Sequence, residues 1–230
     1  MSGKDNVFLH IGGVFISAAI VLTIAWTTGP FYYHFADTRL VVVYSFIQLF
    51  GTAFVSFSAF KYARGTQRTP WTQNPSARPF LISAVGFLFL GFDDLLSIHE
   101  NLDKLIHLIF RMQETPFTDH IDDVILLTYG IIALFFIKDF IREFRRHPYM
   151  VGFLAVGFLL FFCMFCLDFI SNNVETYMYF FGRMSYGDVR HKRDILRMVE
   201  DSVELISETC FLAAFLAALG SIKAKITNRS

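Results

Sequence analysis

The chain has 230 residues, of which 54% are hydrophobic and 29 are phenylalanine, and its formal net charge is zero. The apolar residues come in blocks of about 20, the length of helix that crosses a bilayer, and not at the spacing of a soluble amphipathic domain. The charge balance gives no reason to expect a nucleic-acid partner, and three cysteines without framework spacing argue against a disulfide scaffold. The sequence therefore predicts an all-α integral membrane protein.

Six apolar segments predict a single polytopic domain over residues 1–230, a bundle of about six transmembrane helices. The spans are expected at about 7–28, 39–62, 80–101, 120–141, 149–172 and 199–222. The first span ends at Gly29-Pro30, because proline lacks the N–H that would continue the helix. We read this first block as a retained span, because no convincing cleavage site for a signal peptide follows it.

The loops differ in charge, and this difference predicts the orientation. With both termini on one side, that side holds 12 of the 20 Lys and Arg residues, so both termini are expected in the cytoplasm of a bacterial-type plasma (inner) membrane. Of the 20 acidic residues, 17 then fall toward the outer side. Acidic residues contribute little to membrane orientation, so this excess requires a different explanation.

Acidic side chains from the last four spans converge near the outer surface. A helix rise of about 1.5 Å per residue places Asp93 roughly 20 Å and His99 roughly 28 Å above the cytoplasmic face. The same rise places Asp168 and Glu204 at about 28 and 27 Å, and the fourth span opens with His120 and Asp123. Four helices are thus expected to contribute acids to one polar pocket in the outer third of the membrane.

A charge inside the membrane is costly, so the acids of this pocket need a bound cation, protonated carboxyl groups or basic partners. Carboxylates together with imidazole are ligands of zinc, iron and manganese, which we expect before calcium or magnesium as the divalent metal ion. The predicted ligands are Asp93, Asp94, His99, Glu100, Asp168 and Glu204. Residues that support the ligands are predicted to be His120, Asp123, Glu200 and Glu208.

Three functions are compatible with such a pocket. The first is a metal-dependent hydrolase or oxidase that acts on a lipid-like substrate. The second is a non-catalytic subunit or sensor, associated with membrane lipid and with other membrane subunits, whose acids bind a cation or a basic partner. The third is a cation or proton transporter, against which stands the scarcity of polar residues expected in the inner half of the spans. The sequence leaves open whether the protein is an enzyme.

Two smaller motifs have structural interpretations. Cys163 and Cys166 form a C-x-x-C pattern within the fifth span, where we expect two small buried thiols and no redox centre. The segment GDVRHKRDILRMVEDSVELI, residues 187–206, begins basic and becomes acidic. We expect it to be a solvated loop or an interfacial helix, with recognition of an anionic headgroup as the alternative.

Overall fold

The computed structural model describes residues 3–28, 40–65, 77–111, 135–172 and 186–227, together with isolated positions at 121, 124–125, 128, 131–132, 178 and 182. The regular structure of this described part is helical. Its helices are α1 Gly3–Thr27, α2 Leu40–Gly65, α3 Arg78–Leu96, α4 Ile98–Phe110, α5 Ile137–Phe144, α6 Pro148–Asn172 and α7 Tyr186–Thr227.

Five of these helices, α1, α2, α3, α6 and α7, are long and apolar enough to cross a membrane. Many of their large apolar side chains face outward, among them Phe54 on α2 and Leu159 on α6, which are 66% and 62% exposed. A soluble protein rarely exposes so much apolar surface, whereas lipid covers it without cost. The prediction of a helical membrane protein is thus confirmed. Most of the predicted fourth span, including His120 and Asp123, lies outside the described residues.

Two predicted spans differ from the helices observed. The third was expected to run unbroken to residue 101, but α3 ends at Leu96, where Ser97 adopts a left-handed conformation with φ 47° and ψ 49°. A new helix, α4, starts at Ile98, so His99 does not continue the helix of Asp93. The sixth span is part of a longer helix of 42 residues, α7, which includes the basic segment 187–206. That segment is therefore helical and not a loop.

Helix α7 is the central element, and its contacts fix the direction of its neighbours. Helix α1 runs antiparallel to it, because Val7 lies against Gly220 while Trp26 Nε1 donates a hydrogen bond to Ser202 Oγ at 3.0 Å. Both described chain ends therefore lie at one end of the bundle, here called the terminus end. The other end of the bundle is here called the opposite end. Helix α2 runs parallel to α7, while α3 and α6 run from the terminus end to the opposite end.

The main apolar core lies toward the terminus end, where α2, α3, α6 and α7 meet. Phe80, Met150 and Phe215 are fully buried there, packed among alanines of α2 and α7. Helix α6 approaches α7 closely at Gly157, where an added Cβ would lie 2.8 Å from Phe211. One face of α6, with Met150, Leu154 and Gly157, thus packs against the bundle.

The prediction of buried thiols on α6 was wrong. Cys163 and Cys166 are exposed, whereas Cys210 on α7 is the buried cysteine. The cause is that α6 packs on the bundle through the face with Met150, Leu154 and Gly157, and the two cysteines lie on another face. A C-x-x-C spacing in an apolar span does not reveal which face that is.

Candidate functional site

The hydroxyl group of Ser45 on α2 joins two acids from two other helices. Its Oγ lies 2.8 Å from Asp94 Oδ2 on α3 and 2.7 Å from Glu208 Oε1 on α7. Ser45 and Glu208 are buried, and Asp94 is partly buried. We call these three residues the carboxyl site. Helices α2, α3 and α7 therefore meet at a single hydroxyl near the opposite end of the bundle.

The hydrogen atoms available at the carboxyl site constrain its protonation. A serine hydroxyl donates one hydrogen bond and accepts others, and an ionised carboxylate only accepts. Both contacts of Ser45 are hydrogen bonds only when one of the two carboxyl groups carries a proton. In addition, Glu208 Oε2 is buried and has no hydrogen-bond partner in the described part of the structure. Asp94 and Glu208 could therefore take up one further positive charge, a proton or a cation, beyond the hydroxyl hydrogen of Ser45.

Glu204 adds a third acid, one turn from Glu208 toward the opposite end. It is partly buried and lies within electrostatic range of Glu208 and Asp94. Two unit charges about 6 Å apart repel by about 3 kcal/mol at an effective dielectric constant of about 20. No described Lys or Arg forms a salt bridge with any of these three acids. A proton or a bound cation would relieve their repulsion.

Asp93 and His99 form a separate pair beside the carboxyl site. The buried Asp93 accepts the backbone N–H of His99 at Oδ1, 3.0 Å away, and faces His99 Nδ1 from Oδ2 at 2.8 Å. The left-handed turn at Ser97 makes this possible, because it folds the start of α4 back over the carboxylate. Asp93 thereby satisfies a donor at the start of α4 and fixes the imidazole ring.

The structure brings five of the predicted site residues together at the opposite end: Asp93, Asp94, His99, Glu204 and Glu208. Glu200 lies one turn beyond Glu204 on α7, and Asp168 is partly buried near the end of α6. The side chain of Glu100 and the residues His120 and Asp123 lie outside the described part. Among the described side chains, no group of three or more His, Cys, Asp or Glu is arranged to hold a metal ion.

Sequence reasoning missed the contribution of α2. Four buried polar residues of α2 lie on one face, here called the polar seam: Ser45, Gln48, Thr52 and Ser56. Gln48 Nε2 donates a hydrogen bond to Thr209 Oγ1 on α7 at 2.8 Å, so this face packs against α7. The helical spacing of these polar residues in an apolar span was the available signal. Of these four residues, Ser56 lies in the half of α2 toward the terminus end, and Thr52 lies at the middle of the helix.

A second buried polar group lies at the terminus end. His147, just before α6, contacts Ser221 Oγ through Nδ1 at 3.0 Å and Glu143 Oε1 through Nε2 at 3.3 Å. Arg146 donates to Glu143 Oε2 at 2.9 Å, and its own side chain is half exposed. We call Glu143, His147 and Ser221 the terminus-end cluster.

These features define a helical membrane protein with a buried carboxyl site between three helices. Residues 9–219 match the model of the family described as a domain of unknown function (DUF8692), and the chain belongs to that family. No curated protein and no solved structure matches the chain.

Proposed function

We propose that this protein is a proton-coupled membrane protein that binds and releases a proton at the carboxyl site. The observation that supports the proposal most directly is the single hydroxyl of Ser45 between Asp94 and Glu208. Of the three functions considered from the sequence, it favours the cation or proton transporter, because that class needs an exchangeable charge inside the membrane.

Transfer of the proton between Asp94 and Glu208 leaves the number of hydrogen bonds at Ser45 unchanged. When Asp94 is protonated, its O–H donates to Ser45 Oγ, and the Ser45 hydroxyl donates to Glu208. When the Ser45 proton passes to Glu208, Asp94 gives its own proton to Ser45, so the directions of both bonds reverse. Loss of the proton leaves two carboxylates with one donor between them. Their repulsion then acts between α3 and α7, so proton release favours separation of these helices.

A divalent metal ion at the same place is the second candidate. It is favoured by Glu208 Oε2, which is buried without a partner, and by the nearby carboxyl group of Glu204. The donors of the carboxyl site itself would be carboxylate and hydroxyl oxygens. An oxygen set suits manganese, magnesium or calcium better than zinc. Metal-dependent hydrolysis or oxidation of a lipid-like substrate depends on this ion, as does a non-catalytic cation sensor.

We further propose six crossings of a bacterial-type inner membrane, with both termini in the cytoplasm. Helices α3 and α6 run in the same direction, which supports one more crossing between them. The first and last helices run antiparallel, which supports an even total. The positive charge of the loops favours a cytoplasmic terminus end.

Infrared difference spectroscopy of the protein in lipid nanodiscs tests the proton proposal. The C=O stretching band of a protonated carboxyl group is expected at neutral pH and shifts in heavy water. Glu208→Gln and Asp94→Asn should each remove or displace this band. Asp194→Asn is the matched control, since Asp194 lies on α7 outside the carboxyl site. A wild-type spectrum without the band, or a band that neither variant changes, contradicts the proposal.

Elemental analysis separates the two candidates. Stoichiometric manganese, magnesium or calcium that is lost in Glu204→Gln supports the metal site. Metal-free protein that retains the carboxyl band supports the proton site.

A further inference from the structure

We propose that a basic surface at the terminus end binds the headgroup of an anionic phospholipid. The surface comprises Lys61 and Arg64 on α2 and Lys223 on α7, and we call these three residues the basic patch. All three side chains are exposed. The proposal is independent of the carboxyl site, which lies toward the opposite end of the bundle.

The two helices bring the three cations to a similar height. Because α2 and α7 run parallel and Gln48 bonds to Thr209, each residue of α2 lies level with the residue 161 positions later on α7. Tyr62 is therefore level with Lys223, and Nζ of Lys223 lies 5.0 Å from the centroid of the Tyr62 ring. The two cations of α2 lie within two residues of Tyr62, so the whole patch spans about 5 Å along the helix axis.

Aromatic rings support two of the three cations. Nζ of Lys61 lies 5.0 Å from the centroid of the Phe57 ring, one turn earlier on α2, as Lys223 does over Tyr62. Both rings are exposed. A cation is attracted to the face of an aromatic ring, so these contacts hold the ammonium groups beside apolar surface. Since α2 is long enough to cross a membrane, its last turn lies at the height of the lipid headgroups.

The basic patch forms no salt bridge with an acid in the described part of the chain. At the same end, Asp139 pairs with Arg78, and Glu143 pairs with Arg146. Helix α2 has no Asp or Glu, and α7 has none from Thr209 to its end. The patch therefore presents three positive charges that an external anion can balance.

The outward face of α2 leads from the patch into the apolar part of the bundle. Phe50, Phe54 and Phe57 follow one another at helical spacing and are all exposed. Lys61 and Arg64 continue the same stripe, because residues three and four positions apart share one face of a helix. From Phe50 to Phe57 the stripe is about 10 Å long. A phosphate at the patch and an acyl chain along the stripe belong to one kind of molecule, a phospholipid.

The charge of the patch selects the headgroup. A zwitterionic headgroup brings its own cation, whereas an anionic headgroup brings an unbalanced negative charge, and basic residues beside a membrane attract anionic lipid. A free phosphate ion would leave the apolar stripe unused. Orientation of the helices is a competing explanation, because it also places cations at one side of the membrane. It depends on the number of cations at that side, whereas a lipid site depends on their positions.

Native mass spectrometry of the purified protein in detergent tests the site. The protein is titrated with phosphatidylglycerol or with phosphatidylcholine of the same acyl chains, and the affinity for the first bound lipid is measured. Wild type should bind phosphatidylglycerol about tenfold more tightly, because only this lipid has a net negative charge. Lys61→Gln combined with Lys223→Gln should remove the preference and leave the affinity for phosphatidylcholine unchanged, which also shows that the variant is folded. Lys61→Arg combined with Lys223→Arg should retain the preference.

Lys138→Gln combined with Arg142→Gln is the matched control. These two exposed cations of α5 lie at the terminus end outside the basic patch, so the preference of wild type should persist. An equal loss in the two glutamine variants would assign the preference to net charge and overturn the site. Equal affinity of wild type for the two lipids also overturns it, and leaves the cations to helix orientation or to an acidic protein partner. Displacement of the lipid by soluble glycerol 3-phosphate would indicate a site for a free anion and contradict the role of the acyl chain.

Discussion

Ser45 and Asp93 show how single side chains organise the acids of this membrane protein. Ser45 joins Asp94 to Glu208, while the neighbouring Asp93 turns to the backbone and ring of His99. Two adjacent aspartates thus have different partners and different roles. Asp93 stabilises the start of α4, and Asp94 belongs to the carboxyl site. Their adjacency in the sequence suggested one ligand set, but neighbouring residues of a helix point about 100° apart. The left-handed turn at Ser97 then brings His99 back to Asp93 alone.

Removal of the Ser45 hydroxyl should destabilise the protein. In Ser45→Ala the buried oxygens of Asp94 and Glu208 lose their shared partner, and an unsatisfied buried group of this kind costs about 1–3 kcal/mol. Thermal or denaturant unfolding in detergent measures the loss. Ser58→Ala, which changes a serine on the less buried face of α2, should stay within about 0.5 kcal/mol of wild type. Equal stability of the two variants would show that the Ser45 bridge contributes little.

At the scale of helices, α7 holds the bundle together. Its buried face is rich in alanine and other small residues, and it packs on α1, α2 and α6. Small residues let membrane helices approach closely, where dispersion forces act over many atoms. The contact with α6 depends on glycine: Ser207 Oγ donates to the Gly157 carbonyl oxygen at 2.8 Å, and Phe211 packs on the space that a Cβ would occupy.

A side chain at residue 157 should therefore separate α6 from α7. In Gly157→Ala the new Cβ would lie 2.8 Å from Cε1 of Phe211, so the ring or the helix must shift, at a cost of about 1–3 kcal/mol. Gly152→Ala is the matched control on α6, because nothing lies within 4 Å of its added Cβ. The melting temperatures of the two variants provide the comparison. A melting temperature of Gly157→Ala as high as that of Gly152→Ala is incompatible with the tight contact.

At the scale of the whole molecule, the two polar groups lie toward opposite ends of the bundle, and both contact α7. The carboxyl site involves residues 45 and 208, and the terminus-end cluster involves Ser221, with the polar seam between them. The direction of each helix decides this arrangement. As a result, the start of α1 and the end of α7 lie at the same end of the bundle.

Cysteine labelling in inverted and right-side-out vesicles tests that topology. In a background with Cys163, Cys166 and Cys210 replaced by alanine, Asn6→Cys and Lys225→Cys should react with an impermeant maleimide from the same, cytoplasmic side. Both positions are exposed at the terminus end. Labelling of the two from different sides requires an odd number of crossings and excludes the six-span proposal.

The sequence by itself determined the class of protein and predicted which of its acids lie at similar heights along the helices. Apolar blocks long enough for a bilayer specify helical spans, and helix rise then assigns each acid a height, because both depend on local chain geometry alone. Asp93, Asp94, His99, Glu204 and Glu208 were placed near one another in this way, and the structure brings them together.

The tertiary structure alone decided how these residues pair. The rotation of each helix about its axis depends on packing with its neighbours, so the sequence did not reveal that Ser45 faces Asp94 and Glu208 or that the α6 thiols face outward. The break at Ser97 was equally hidden, because a serine in an apolar run gives no local signal for a left-handed turn. The height of a residue along its helix follows from its distance along the chain. The direction in which its side chain points, and the residue with which it pairs, follow from contacts between segments far apart in the sequence.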